Sequence, residues 1–300
     1  SSTTSASFSV DMAIGAVDGN VTSEALSTAY GYQMDLKTSF TGEDTLAVAI
    51  DAGDTAVSLA ELDLNETGDG LTVDGITYSF PVGDKLTVLV GDSTSGSALY
   101  STACVYGGFT NTLDDCGNFN SAFVATGHAD SVGFSAAYDI GNGFTGAVGY
   151  QGQGSGVNGL GTDLGVDFVG GQLTYTADDF GASVTYANID TAVAWGLNGY
   201  YTFASNLPSI SVGYEFTDNE AAIADQTQWF VGLQWDEIGP GTLGIAMGSD
   251  GPQNDDAVEN TAYEGFYTYT VNDSMTITPA IFMIENNAPG AEDETGVVVK

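Results

Sequence analysis

Pro208–Thr217 reads PSISVGYEFT, setting Ile210, Val212, Tyr214 and Phe216 on one side of an extended chain and Ser211, Gly213, Glu215 and Thr217 on the other. Strand side chains alternate between two faces, so this is a strand with one apolar and one polar surface. The pattern continues outward in both directions. Tyr30, Tyr32, Met34, Leu36 and Phe40 oppose Gly31, Gln33, Asp35, Lys37 and Ser39. Val132, Phe134, Ala136, Tyr138 and Ile140 oppose Ser131, Gly133, Ser135, Ala137 and Asp139, and Trp229, Val231, Leu233 and Trp235 oppose Gln228, Gly232, Gln234 and Asp236. Between such runs stand Gly141-Asn142-Gly143, Asp178-Asp179, Gly239-Pro240-Gly241 and Asn272-Asp273-Ser274, polar clusters of the kind that close hairpins.

About sixteen such runs fill the 300 residues, beginning near residues 5, 28, 45, 74, 85, 131, 144, 163, 180, 193, 208, 227, 242, 262, 275 and 296. Strands of 9–11 residues joined by alternating short turns and long loops fit that spacing. The long irregular stretches are about 54–72, 93–129 and 250–260. Glycines interrupt every window in which a helix could run, and no stretch of ~20 apolar residues offers a membrane helix. The pattern predicts an all-β chain, an antiparallel transmembrane barrel of about 16 strands in one domain over 1–300.

Charge narrows the function. Forty acidic residues face three lysines, Lys37, Lys85 and Lys300, for a net charge of −37. Nucleic acid is excluded as a partner, because phosphate binding is driven by basic side chains displacing counterions. Disorder, the usual reading of an acidic chain, is opposed by 15 Tyr, 15 Phe and 3 Trp. No enzyme is expected: the sole histidine, His128, has no nucleophile motif around it, and Gly152-Gln153-Gly154-Ser155-Gly156 lacks the lysine and helix of a phosphate cradle. No cofactor is implied.

Alternation alone also suits a soluble β-sandwich, an adhesin or lectin. Two features favour lipid. The polar face is small and mostly neutral, with scattered Asp, whereas a soluble surface mixes charges of both signs. Tyr150, Tyr175, Tyr186, Tyr214, Phe216, Trp229 and Trp235 sit on the apolar face near strand ends, where rings favour a membrane interface.

Cys104 and Cys116 lie twelve positions apart. In an oxidising compartment they would close a loop worth roughly 3 kcal/mol in the chain-entropy model; two free thiols are the alternative, and a zinc site has too few ligands. The segment from Ser93 to Ala129 holds both, with Asp114 and Asp115 beside Cys116. It is the candidate constriction loop if it folds inward, and an ordinary stapled loop if it does not. Asp35, Lys37, Asp51, Asp139 and Glu215 fall on the polar face as candidate pore-lining residues, which predicts a modest cation preference. Asp255, Asp256 and Glu259 offer oxygen ligands suited to Ca²⁺ or Mg²⁺, though a solvated acidic loop is the plainer reading. Tyr200 and Phe230 are the only rings on the polar side at which a sugar could stack.

Tyr30–Asp54 (YGYQMDLKTSFTGEDTLAVAIDAGD), and within it Asp35–Gly42 followed by Glu43-Asp44, resembles cyanobacterial outer-membrane porins of the carbohydrate-selective (OprB-like) superfamily. Ile76–Gly91 (ITYSFPVGDKLTVLVG) and the ending Thr295–Lys300 (TGVVVK) resemble the same family. The resemblance implies a homotrimeric diffusion channel for inorganic ions and small hydrophilic solutes, in contact with lipid and lipopolysaccharide of the outer membrane. It also implies that an N-terminal S-layer-homology domain, the only link to peptidoglycan, and the signal peptide precede Ser1, and that the last residues of the final strand follow Lys300. Thr45–Asp51 departs from the family in carrying no arginine.

Overall fold

The computed structural model describes residues 3–54, 57–62, 64–117, 131–154, 156–190, 192–204, 206–220 and 224–300. Its strands are β1 (Thr3–Asp18), β2 (Ser27–Ser39), β3 (Thr45–Gly53), β4 (Thr72–Val82), β5 (Leu86–Asp92), β6 (Ser131–Gly141), β7 (Phe144–Gln153), β8 (Asp167–Thr176) and β9 (Phe180–Ile189). There follow β10 (Ala192–Tyr201), β11 (Ser209–Asn219), β12 (Gln226–Ile238), β13 (Gly241–Ser249), β14 (Gln253–Asn254), β15 (Thr261–Asn272), β16 (Met275–Ile277), β17 (Pro279–Ile284) and β18 (Glu294–Val299). Two 3₁₀ turns, η1 (Val57–Leu62) and η2 (Asp114–Gly117), lie in the connections.

β14 is a two-residue bridge onto Gln226 and Thr227, and β16 and β17 are halves of one stave interrupted at Thr278. The wall therefore has sixteen staves, each antiparallel to its neighbours. Expected starts fall within four residues of the observed ones, the widest gap being 163 against Asp167. β1 closes the ring. It pairs with β2 from Thr3 to Gly15 and with β18 from Ile14 to Asp18. Closure leaves no free sheet edge in the membrane, where unpaired backbone groups are most costly.

The barrel is inside-out relative to a soluble protein. Along β11, Ser209, Ser211, Gly213, Glu215 and Thr217 are buried, while Val212 and Tyr214 are exposed on the outer surface. Val169, Leu173, Trp195, Leu197 and Ile245 are likewise exposed outward. Each apolar side chain facing hydrocarbon, with its neighbours in sequence facing inward, satisfies the period of two. Rings cluster near the short turns: Phe144 with Tyr175 (centroids 4.8 Å), Tyr175 with Phe180 (5.6 Å) and Tyr201 with Phe203 (4.7 Å). Tyr186 and Trp195 pair closer to the loops, at 4.9 Å.

One rim carries short turns. The tightest, Gly141-Asn142-Gly143, takes φ of 95°, 55° and 84°, a left-handed run suited to glycine and asparagine. A Cβ at Gly143 would also lie 2.4 Å from the carbonyl oxygen of Thr176. In the turn after β2, the Asp44 carboxylate accepts from Phe40 N (3.0 Å), Thr41 N (2.8 Å), the Thr41 and Ser39 hydroxyls (2.8 and 2.9 Å) and the Tyr78 hydroxyl (2.7 Å). These bonds, the backbone bond to Thr41 foremost, hold its carboxyl well below the usual carboxylate range. A lowered pKa means stabilisation present above the ordinary carboxylate value and lost as pH falls through the folded one. Asp44→Asn is expected to lower the barrel's Tm at pH 7 and to lose that difference in strong acid, measured by thermal melts in detergent.

Candidate functional site

After β5 the chain turns into the barrel. Ser93 N donates to Ser131 O (2.8 Å), and the segment then runs around the inside of the wall. Gly96 N donates to Gln151 Oε1 (3.1 Å), Leu99 N to Ser135 Oγ (3.2 Å), Ser101 N to Gln172 Oε1 (2.8 Å) and Ala103 N to Ser183 Oγ (3.2 Å). Val105 N donates to Ser211 Oγ (3.2 Å) and Gly107 N to Gln234 Oε1 (2.9 Å). From Leu99 onward every second N–H meets the wall, as an extended chain lying along a polar surface requires. We call this segment the strap. Its acceptors come from the inner faces of β6, β7, β8, β9, β11 and β12. Where it starts, the wall has been cut back to backbone: a Cβ at Gly149 would lie 1.7 Å from Gly96 O.

The strap's far end is held by Glu264 of β15, which is 4% exposed. Its carboxylate accepts from the Tyr106 hydroxyl (2.7 Å), Phe109 N (3.0 Å), Thr110 N (2.8 Å) and the Thr110 hydroxyl (2.6 Å). Burial and the neighbouring Glu264 push the Tyr106 hydroxyl far above its ordinary pKa, so it is fixed as a donor. Around these bonds lies an apolar cluster inside the barrel. Tyr106 packs on Phe230 (5.3 Å) and Phe266 (6.1 Å), and Phe109 on Phe266 (6.0 Å). Leu59 and Leu62 of η1, with Leu64 and Leu113, complete it against Val17, Phe282 and Val298. Lys300 Nζ sits 5.4 Å from the centroid of Phe109.

Cys104 and Cys116 form a disulfide, with Cα atoms 6.1 Å apart. It ties the strap to η2, which rests on β11 and β12; a Cβ at Gly213 would lie 2.3 Å from Cys116 O. Asp114 and Asp115 open η2, and Asp114 N donates to Thr110 O (3.1 Å). The Asp115 side chain, His128 and the segment beyond Gly117 up to residue 130 lie outside the described residues.

The candidate pore-lining residues are placed unequally. Asp35 and Lys37 face inward from β2, and Asp35 accepts a bond from Gln33 Nε2 (3.3 Å). Asp51 of β3 pairs in register with Gln33 and is buried at the wall. Asp11 of β1, paired with Gly31, faces the same way and is exposed; its position in a long serine-rich strand concealed it from sequence reading. These three carboxylates form an acidic strip on adjacent staves. Two expectations need correction. Asp139 lies at the turn rim, where its carboxylate accepts from Gly141 N (2.8 Å), so its work is capping a turn. Glu215 points inward but is 1% exposed, and so does not line open lumen. Among the described residues no group of three His, Cys, Asp or Glu side chains is placed to hold a metal, so Asp255, Asp256 and Glu259 form no such site; the Glu259 carboxylate instead accepts from the Trp229 indole. Phe230, a candidate sugar platform, is consumed by the apolar cluster.

A closed sixteen-stave wall crossed inside by one long loop is a distinctive architecture. It is the fold of bacterial porins. The chain superposes on OprB of Pseudomonas putida, in its high-pH structure, with a TM-score of 0.75 at 12% identity, covering 99% of this chain and 93% of that one. Engineered forms of Rhodopseudomonas blastica porin, among them two triple mutants, match with TM-scores of 0.59 at 14% identity, over 98% of this chain and 99% of theirs. No protein-family model and no curated protein sequence matches the chain. At these identities the likeness concerns the fold.

Within this porin-like barrel, η1 braces the strap. Asn111 N donates to Glu61 O (2.8 Å), and the Thr112 hydroxyl to the Glu61 carboxylate (3.0 Å). Burial raises the Glu61 carboxyl above its ordinary pKa, with Asp250 and Glu294 adding to the shift; Asp250 is raised by burial and by Glu294. For an acid with a raised folded pKa, ionisation opposes the folded arrangement. The penalty is fully present above the folded pKa and relieved as pH falls toward the ordinary carboxylate value. The brace should therefore tighten in acid. Glu61→Gln is expected to flatten the pH dependence of conductance between pH 7 and pH 4, giving at pH 7 the wild-type's acid value.

Proposed function

We propose that the chain is an outer-membrane diffusion channel for inorganic ions and small hydrophilic solutes, of the OprB-like carbohydrate-selective porin type found in cyanobacteria, and that it works as a homotrimer. The observation that carries the reading is the strap, bonded along its length to the inner wall and ending on the buried Glu264. A segment held so firmly along the inside of the wall sets a fixed aperture, which is what sieving by size needs. The strip of Asp11, Asp35 and Asp51, opposed there by Lys37 alone, favours a modest cation preference, since acidic linings concentrate cations. The consumption of Phe230 by packing leaves, of the two rings read as sugar platforms, Tyr200 alone, which favours a general pore.

Single-channel recording in planar bilayers, with reversal potential in a KCl gradient, tests this. Discrete steps in threes with a potential of cationic sign are expected. Anion selectivity would remove the role given to the acidic strip, and silent bilayers would remove the channel itself.

A further inference from the structure

On the outer wall, a groove of roughly 520 Å³ runs across β5 to β10. Its floor is made of residues with almost no side chain, Ala136, Gly146 and Gly171, and its sides include Tyr138, Leu173 and Trp195. A Cβ at Gly146 or Gly171 would meet nothing nearer than 3.4 Å, so backbone packing does not demand glycine at either position. What their smallness creates is a trough among the larger side chains of Val148, Leu173, Tyr186 and Trp195.

The trough begins at the turn rim, among Leu86, Tyr138 and Ile140. There stands Lys85, its Nζ 5.9 Å from the centroid of the Tyr138 ring. Lys85 is one of three basic residues in a chain of net charge −37; Lys37 faces the lumen and Lys300 lies against Phe109 inside it. Lys85 thus stands at the end of the apolar trough. Its acidic neighbours are Asp84, adjacent in the turn, and Asp139, whose carboxylate is engaged by Gly141 N. The far end is closed by Tyr186 and Trp195, six residues along β9 and β10 from the turn rim, or about 20 Å of strand.

We infer that this trough is a binding site for an anionic phospholipid of the turn-side leaflet: the acyl chain lies over Gly146 and Gly171, and Lys85 with Tyr138 receives the phosphate. A single ammonium at the interface beside an apolar groove fits a phospholipid, whereas a polyphosphorylated glycolipid would call for a cluster of cations. The inference rests on the outer-membrane reading above.

The test uses Trp195 as a reporter. With Trp229 and Trp235 replaced by Phe, the protein is inserted into phosphatidylcholine vesicles containing either phosphatidylglycerol or additional phosphatidylcholine with brominated acyl chains, at equal low mole fraction. Brominated phosphatidylglycerol is expected to quench Trp195 several-fold more strongly than brominated phosphatidylcholine. Lys85→Gln should abolish that preference, and Gly171→Leu should reduce quenching by both lipids. Equal quenching by the two lipids in the Lys85 protein would overturn the inference. So would the absence of quenching in inserted protein, which would place a second copy of the chain over the groove. Failure to insert at all would instead overturn the outer-membrane reading.

Discussion

Glu264→Ala releases the far end of the strap and raises single-channel conductance. In the wild-type barrel four donors converge on this carboxylate. Leaving a buried donor without an acceptor costs about 1–3 kcal/mol, and these four act on one segment. The strap can escape that cost by swinging out toward the mouth of the barrel, where its N–H groups are solvated. The staves do not share this incentive, because their ladder bonds are untouched. Conductance should therefore rise roughly two-fold with broader current noise, as expected when the narrowest element of a pore is loosened, while the melting temperature of the wall changes little. Glu264→Gln keeps one acceptor oxygen and should lie between the two. Unchanged conductance in the Ala variant would mean that the strap does not set the aperture.

The second large effect concerns charge. Asp11→Lys, Asp35→Lys and Asp51→Asn together should invert ion selectivity, seen as a change of sign in the reversal potential under a KCl gradient. Asp51 is made neutral rather than cationic because it is buried against the wall. Two units of charge change at each lysine and one at the asparagine, five in all, within a lumen where Lys37 already contributes one positive charge. Screening acts over ~8 Å at physiological ionic strength, so charges on the lining outweigh the more numerous acids in the loops. A potential that keeps its sign would show that the loop acids, not this strip, govern permeation.

The wall was legible in the sequence because the membrane enforces a rule with few exceptions. Every second residue of Pro208–Thr217 must meet hydrocarbon, and that obligation fixes face, register and approximate strand ends. The inside obeys a weaker rule. Phe266 and Phe282 face inward as Phe230 does, more rings than the Tyr200 and Phe230 read from the sequence, and such breaks in alternation are the trace that an apolar cluster leaves. Nothing local marks Glu264, whose partners lie more than 150 residues away. From Gly96 to Gly107 the strap grips the wall mainly through backbone N–H groups, which every residue but proline possesses, so its side chains disclose little of that contact. The disulfide was suggested by spacing, but its attachment to η2 and the wall depends on the three-dimensional path.

The strap also has a place in time. It precedes β6 in the chain, yet its acceptors are spread from Ser135 to Glu264. It cannot dock until the staves of the C-terminal half stand in their final order, whereas Cys104 and Cys116, twelve residues apart, can meet far sooner. The barrel is consequently born wide, and its aperture is the last dimension to be set.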